Sequence, residues 1–175
     1  MPKDTGRAQA LADRGLDLLL SGEHKAAATL FAEARTCDPQ SPELAFNQAL
    51  ALLRSANPAA AIRIFTEAEV LGDHSADLYC NRGLARLDSG LVALAEQDFT
   101  QALALQANHP ETLNNFGVLR FQQERYAEAA DLFRHATQIR PDWYDAWYNL
   151  RDCCLELGLS AEATAAERTL SSLSG

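Results

Sequence analysis

The chain is poor in the residues that build sheets. Val and Ile together number six of 175, and Gly plus Pro number only 15. Strands favour β-branched side chains and turn punctuation, so this scarcity excludes a β-sandwich, a β-barrel or a parallel-sheet enzyme. Long apolar runs are missing too: none exceeds about five residues, against roughly 20 for a bilayer-spanning helix. Basic residues are short, 15 Lys and Arg against 24 Asp and Glu, for a formal net charge of −9. Phosphate-based binding of DNA or RNA needs a basic surface, so nucleic acid is not expected as a partner. The N-terminus carries no apolar signal core and no lipid-attachment cysteine, which gives the expectation of a cytoplasmic protein. Cys37, Cys80, Cys153 and Cys154 form neither metal-ligand pairs nor a disulfide framework, as expected of reduced thiols. No Gly-rich phosphate loop, nucleophile elbow or pair of catalytic carboxylates occurs. His24, His74, His109 and His135 do not pair at metal-ligand spacing. No catalysis, metal or cofactor is therefore expected. What the chain has is 32 Ala and 27 Leu, the strongest helix formers. With 47% hydrophobic residues it can fold as an all-α protein.

The alanines and aromatics are in phase. Phe31, Phe65, Phe99 and Phe133 are each 34 residues apart, and the chain holds only seven phenylalanines. The same interval separates Ala27, Ala61, Ala95, Ala129 and Ala163, and also Ala34, Ala68, Ala102 and Ala136. Gly15, Ala49, Gly83 and Gly117 repeat it once more, and Pro39 and Pro141 close two of the units. Each unit holds two stretches of helical periodicity; in the third they run about 76–89 and 92–106, parted by Ser89 and Gly90. Small residues at 83 and 95 would let two helices approach, with Phe99 beside them. One such pair cannot bury its own apolar face, so the pairs must stack.

These residues resemble the tetratricopeptide repeat family, whose unit is a 34-residue helix–turn–helix. The register gives repeats 8–41, 42–75, 76–109, 110–143 and 144–175, after a tail at 1–7. The fourth carries Leu113, Phe116, Gly117, Ala129, Phe133, Ala136 and Pro141 in the signature columns, and Ala146 to Leu150 match the opening of the fifth. The resemblance implies one α-solenoid domain, a right-handed superhelix of stacked antiparallel helix pairs. Its ends depart from the pattern. Glu167 replaces the column phenylalanine in a final polar helix, 160–175, read as a cap. Arg151 stands where Gly or Ala allows close approach, so the last pair is expected to pack less tightly. At the other end Leu16, Leu18, Leu19 and Leu20 leave the first helix apolar on more than one side, as core and groove lining or as a dimer contact.

In the family, the first helices of successive repeats line a groove that holds a partner's peptide. Helical geometry groups positions 2, 5, 6, 9 and 13 of each unit on one face. Position 6 reads Asn47, Asn81, Asn115 and Asn149, after Asp13. An amide offers donor and acceptor together and can grip an extended backbone; a similar asparagine ladder serves the nucleocytoplasmic glycosyltransferase that modifies Ser and Thr. Position 2 reads Gln9, Glu43, Asp77, Glu111 and Asp145. These acids suit a ligand with Lys or Arg, or simply complement the helix dipole. They count against the carboxylate clamp of chaperone-binding relatives, which needs basic residues there. Position 9 reads Leu16, Leu50, Leu84 and Val118, then Asp152; with Phe46 and Tyr148 at position 5 it forms an apolar stripe suited to an amphipathic segment, or to packing between neighbouring helices. Trp143, Tyr144 and Trp147 extend an aromatic cluster around Tyr148. Arg82 and Arg86 occupy usually apolar columns, where they would pair with an acid such as Glu96 or Asp98 or reach a partner. The resemblance implies a scaffold that binds a basic or amphipathic peptide or protein segment in this groove, as a monomer or weak homo-oligomer without membrane insertion. The alternatives are a dedicated secretion- or assembly-type chaperone and an oligomeric scaffold subunit of a larger complex.

Overall fold

A computed structural model describes residues 4–174, and ten α-helices account for most of them, with no strand among the described residues. They are α1 (Thr5–Leu20), α2 (His24–Cys37), α3 (Pro42–Arg54), α4 (Pro58–Val70), α5 (Ala76–Asp88), α6 (Val92–Leu105), α7 (Pro110–Gln122), α8 (Tyr126–Ile139), α9 (Tyr144–Glu156) and α10 (Ser160–Leu173). The chain divides into two compact units, residues 1–95 and 96–175.

Local chemistry sets the helix starts. Ser41 and Ser75 accept the backbone N–H groups of Leu44 and Leu78 at 3.2 and 3.1 Å, and Asn57 accepts that of Ala60 at 3.3 Å. Each satisfies a first-turn donor that has no partner within the helix. Pro42, Pro58 and Pro110 occupy the first turn, where a missing N–H costs nothing. Asp4 performs the same service for α1, accepting the N–H of Arg7 at 3.0 Å. Residues 5–7, expected as part of a tail, are therefore helical: the cap starts the helix three residues before the repeat register.

The turns inside the helix pairs repeat one backbone conformation. Gly22, Ala56, Gly90, Glu124 and Gly158 all have positive φ, between 59° and 83°. Glycine adopts it freely, whereas Ala56 and Glu124 are strained by about 1–2 kcal/mol. Ala56→Gly is expected to stabilise the fold by up to about 1 kcal/mol once the added unfolded-state entropy of glycine is subtracted, and so to raise the thermal midpoint slightly. A denaturation curve checks this; a clearly lower midpoint would mean the turn is not strained.

In the first unit α1 packs on α2, α2 on α3, α3 on α4 and α4 on α5; in the second α7 packs on α8, α8 on α9 and α9 on α10. The phenylalanine column is the centre of each: Phe31, Phe65, Phe99 and Phe133 are buried, and the alanines at 27, 61, 95 and 129 are closed off completely. A Cβ on Gly15 would lie 2.9 Å from the ring of Phe31, and one on Gly117 would lie 2.6 Å from that of Phe133. Glycine thus lets the aromatic ring of the second helix lie against the backbone of the first.

The final pair solves the same contact with charge. Arg151 takes the glycine column and Glu167 the phenylalanine column, and they bond to each other at 3.0 Å. Asp152 accepts from the same guanidinium at 2.7 Å, and the Cζ of Arg151 lies 4.1 Å from the Tyr148 ring centroid. The ion pair bridges the two helices and Leu150, Cys153, Cys154 and Ala163 stay in the core, while an open cavity of about 390 Å³ lined by Arg151, Leu155, Ala163 and Glu167 remains between α9 and α10.

Candidate functional site

The first helices carry every residue of the expected groove, and each unit presents its own face. In the first unit α3 supplies Glu43, Phe46, Asn47 and Leu50, and α5 supplies Asp77, Asn81 and Leu84. Glu43 and Asp77 are exposed; Phe46, Asn47, Leu50, Asn81 and Leu84 are half-buried. In the second unit α7 supplies Glu111, Asn115 and Val118, and α9 supplies Asp145, Tyr148 and Asn149. Asp145 and Tyr148 are exposed, the others half-buried.

Three cavities show what these side chains share. One of about 280 Å³ lies between α1 and α3, with Leu16 and Leu44 among its apolar walls and Gln9, Glu43 and Asn47 among its polar ones. A second, of about 300 Å³, sits where α3 and α5 begin, with Phe46 and Pro42 lining it beside Glu43, Asp73 and Asp77. A third, of about 160 Å³, is enclosed by α7, α8 and α9 and joins Val118 to Asn149. The apolar stripe is thus partly spent on packing: Phe46 meets Phe65 edge-on at 5.6 Å, and Val118 packs on the core around Phe133.

The asparagines are not equivalent. Asn81 donates to the backbone carbonyl of Asp77 at 2.8 Å, one turn back on its own helix. Asn149 donates to Oδ1 of Asn114 at 3.0 Å, tying α9 to α7. Asn114, buried at position 5, was not singled out from the sequence; a polar residue in a column otherwise held by Ala, Phe, Cys and Tyr is the signal that would have found it. The acids differ too. Glu111 is bonded by Arg140, so its charge is neutralised within the fold. Trp143 is half-buried against Leu113, Ala136 and Ala146. Trp147 donates its indole N–H to the Pro141 carbonyl at 2.8 Å and serves packing, leaving Tyr148 as the more exposed ring.

The arginines in apolar columns hold helices together. Arg82 reaches back to Glu69 on α4 at 2.5 Å, and the Tyr79 hydroxyl donates to the same carboxylate at 2.9 Å. Arg86 donates to the Leu94 carbonyl at 3.3 Å. Neither Glu69 nor these contacts were named from the sequence. Glu96, named as an acid for Arg82 or Arg86, is held by Arg120 of α7 at 2.6 Å. Arg134 and Glu162 repeat the arrangement at 2.9 Å. The arginine beside each of Glu69, Glu96 and Glu162 holds its carboxyl below the ordinary glutamate value, against the opposing effect of burial. A lowered carboxylate contributes stability that is complete above its unfolded-state value and lost as pH falls through the folded one. The thermal midpoint is therefore expected to hold steady from pH 7 to 5 and to fall below about pH 4.3. Glu69→Gln, Glu96→Gln and Glu162→Gln together should flatten that fall; an unchanged acid limb in the triple variant would remove these pairs as its cause. The buried thiol of Cys153 is pushed up to about 12 by desolvation and its acidic neighbours, and that of Cys154 is raised mainly by desolvation, so both are poor nucleophiles.

Helix pairs recurring every 34 residues, a buried phenylalanine at 31, 65, 99 and 133, those at 31 and 133 lying against a glycine of the partner helix, and first-helix faces of amides and acids define a helical-repeat protein. Two family models described as tetratricopeptide repeat match residues 74–142 and 120–173. The chain belongs to the tetratricopeptide repeat family. Among curated protein sequences none matches. Solved structures of the same fold include MamA, with 18% identity over 91% of this chain and 94% of that one and a TM-score of 0.77. They also include pilF of Pseudomonas aeruginosa, with 17% identity over 97% and 78% and a TM-score of 0.85. A third is YrrB, described as a tetratricopeptide repeat protein with an unusual peptide-binding site, with 18% identity over 93% and 84% and a TM-score of 0.69. At these identities the likeness is one of fold. Among the described residues no helix is long and apolar enough to cross a membrane.

Proposed function

We propose that the chain is a non-enzymatic protein-interaction module of the cytoplasm that binds a peptide or protein segment on the first-helix faces of its repeats. The observation that carries this reading is the coincidence, on those faces, of half-buried asparagines, exposed acids and cavities lined by both polar and apolar side chains. Such surfaces offer an extended or amphipathic segment backbone hydrogen bonds and apolar contact together. The net charge of −9 favours a segment rich in Lys or Arg. Four cysteines carried as thiols, three of them buried, suit a reducing compartment. YrrB, described by its peptide-binding site, lends the fold a precedent for such use.

The test is affinity capture of native partners on the immobilised chain, repeated with the Asn81→Ala, Asn115→Ala double variant. Both asparagines are half-buried on first helices, so their truncation should leave the helical signal and melting midpoint nearly unchanged. Affinity for the captured partner is expected to fall about tenfold or more, as the loss of two backbone-directed hydrogen bonds would give. Capture should also weaken as salt is raised. Equal affinity of variant and wild type would assign these amides to structure alone.

A further inference from the structure

The cavity enclosed by α7, α8 and α9 has a composition of its own. Val118, Phe121 and Phe133 supply its apolar walls, and Gln122, Asn149 and Asp152 its polar groups. Phe133 is fully buried, Val118 and Phe121 are half-buried, and Gln122 is exposed, so the walls deepen from solvent to core. Its volume, about 160 Å³, is close to that of an apolar cavity that accepts a benzene ring, about 150 Å³. Asn149 spends one amide N–H on Asn114 and keeps its carbonyl oxygen for an incoming donor. The faces of α7 and α9 around it carry Glu111, Asp145, Asp152 and Glu156 and no lysine or arginine at positions 2, 5, 6, 9 and 13. Arg140 neutralises Glu111, and Arg151 partly neutralises Asp152. Asp145 and Glu156 are exposed and have no ion pair among the described residues, so the field at the rim is negative.

We propose that this cavity receives one leucine- or phenylalanine-sized side chain of a peptide partner, with a lysine or arginine next to it in that peptide. The assignment rests on the reading of the first-helix faces as peptide-binding and adds the side-chain class they select. The apolar side chain fills the space against Val118, Phe121 and Phe133, and its own backbone N–H donates to Oδ1 of Asn149. The neighbouring cation lies in the field of Asp145, Asp152 and Glu156. Burial of one such side chain supplies the affinity and the cation fixes the register.

The experiment is an amide-shift titration of the full, isotopically labelled chain with a blocked Gly-Gly-Leu-Lys-Gly-Gly peptide. Two control peptides carry Ala in place of Leu and Glu in place of Lys. Saturating shifts are expected around Val118, Phe121 and Asn149, with the Kd at least about tenfold weaker for each control. Val118→Phe should fill the cavity and abolish those shifts without lowering the melting midpoint. Shifts confined to α3 and α5, unaltered by Val118→Phe, would overturn the cavity assignment while leaving the wider groove reading in place. Equal affinity for all three peptides, or no shift at millimolar peptide, would overturn it as well. The peptide controls decide the matter even if the Val118 variant fails to fold.

Discussion

Phe133→Ala is expected to destabilise the protein by about 3–5 kcal/mol, the cost of deleting a buried aromatic ring whose site cannot collapse. Phe133 is 1% exposed and lies in one cluster with Ala129, Ala130, Leu150, Cys153 and Cys154. It touches α7 at Gly117 and belongs to the core that α8 shares with α9. Losing it opens two interfaces together. Chemical denaturation would show a lower midpoint, and a loss under about 1 kcal/mol would mean that neighbouring side chains move in to fill the space. Glu167→Ala in the next repeat, where charge replaces the ring, should cost far less, because Arg151 keeps its bond to Asp152.

Gly117→Ala should also destabilise, by about 1–3 kcal/mol, although alanine is the better helix former by about 1 kcal/mol. The added methyl would sit 2.6, 2.8 and 2.9 Å from three atoms of the Phe133 ring. That ring is buried and open only toward the cavity it shares with Val118 and Phe121, so either it is pushed from its rotamer into that space or α7 and α8 separate. Gly15→Ala meets Phe31 at 2.9–3.1 Å and should cost less. Ala49 already holds this column in the second repeat, so helix pairs can be built for a methyl there; the cost reflects the spacing that α7 and α8 have adopted. A double-mutant cycle of Gly117→Ala with Phe133→Leu isolates the clash: strong coupling between the two is expected, and simple additivity would contradict it. A Gly117→Ala variant as stable as wild type would do the same.

Much of the fold was legible because its determinants are local. Helix faces follow from a 3.6-residue period, and the starts at Pro42 and Pro58 follow from Ser41, Asn57 and the prolines themselves. The 34-residue phase of Phe31, Phe65, Phe99 and Phe133 marks core positions that are indeed buried. What escaped depends on how one repeat lies on the next. The bond from Arg82 to Glu69 joins helices of neighbouring repeats through long side chains, whose reach no single-helix pattern gives. Arg151 and Glu167 were each visible as departures; only their contact shows one offsetting the other, at the same 16-residue separation as Gly117 and Phe133. The site was half legible. The columns of Asn, acid and apolar residue fall on first helices, but which amides are tied down, as Asn149 is by Asn114, is a matter of packing across helices.

The most direct test of the first-helix faces as the binding surface is carboxyl footprinting of the chain with and without a captured partner. Glu43, Asp77 and Asp145 are exposed on α3, α5 and α9, while Asp131 is exposed on the second helix α8. Partner binding should protect Glu43, Asp77 and Asp145 from modification and leave Asp131 as reactive as before. Protection of Asp131 with unchanged labelling of the other three would place the partner on the second helices and contradict the proposal.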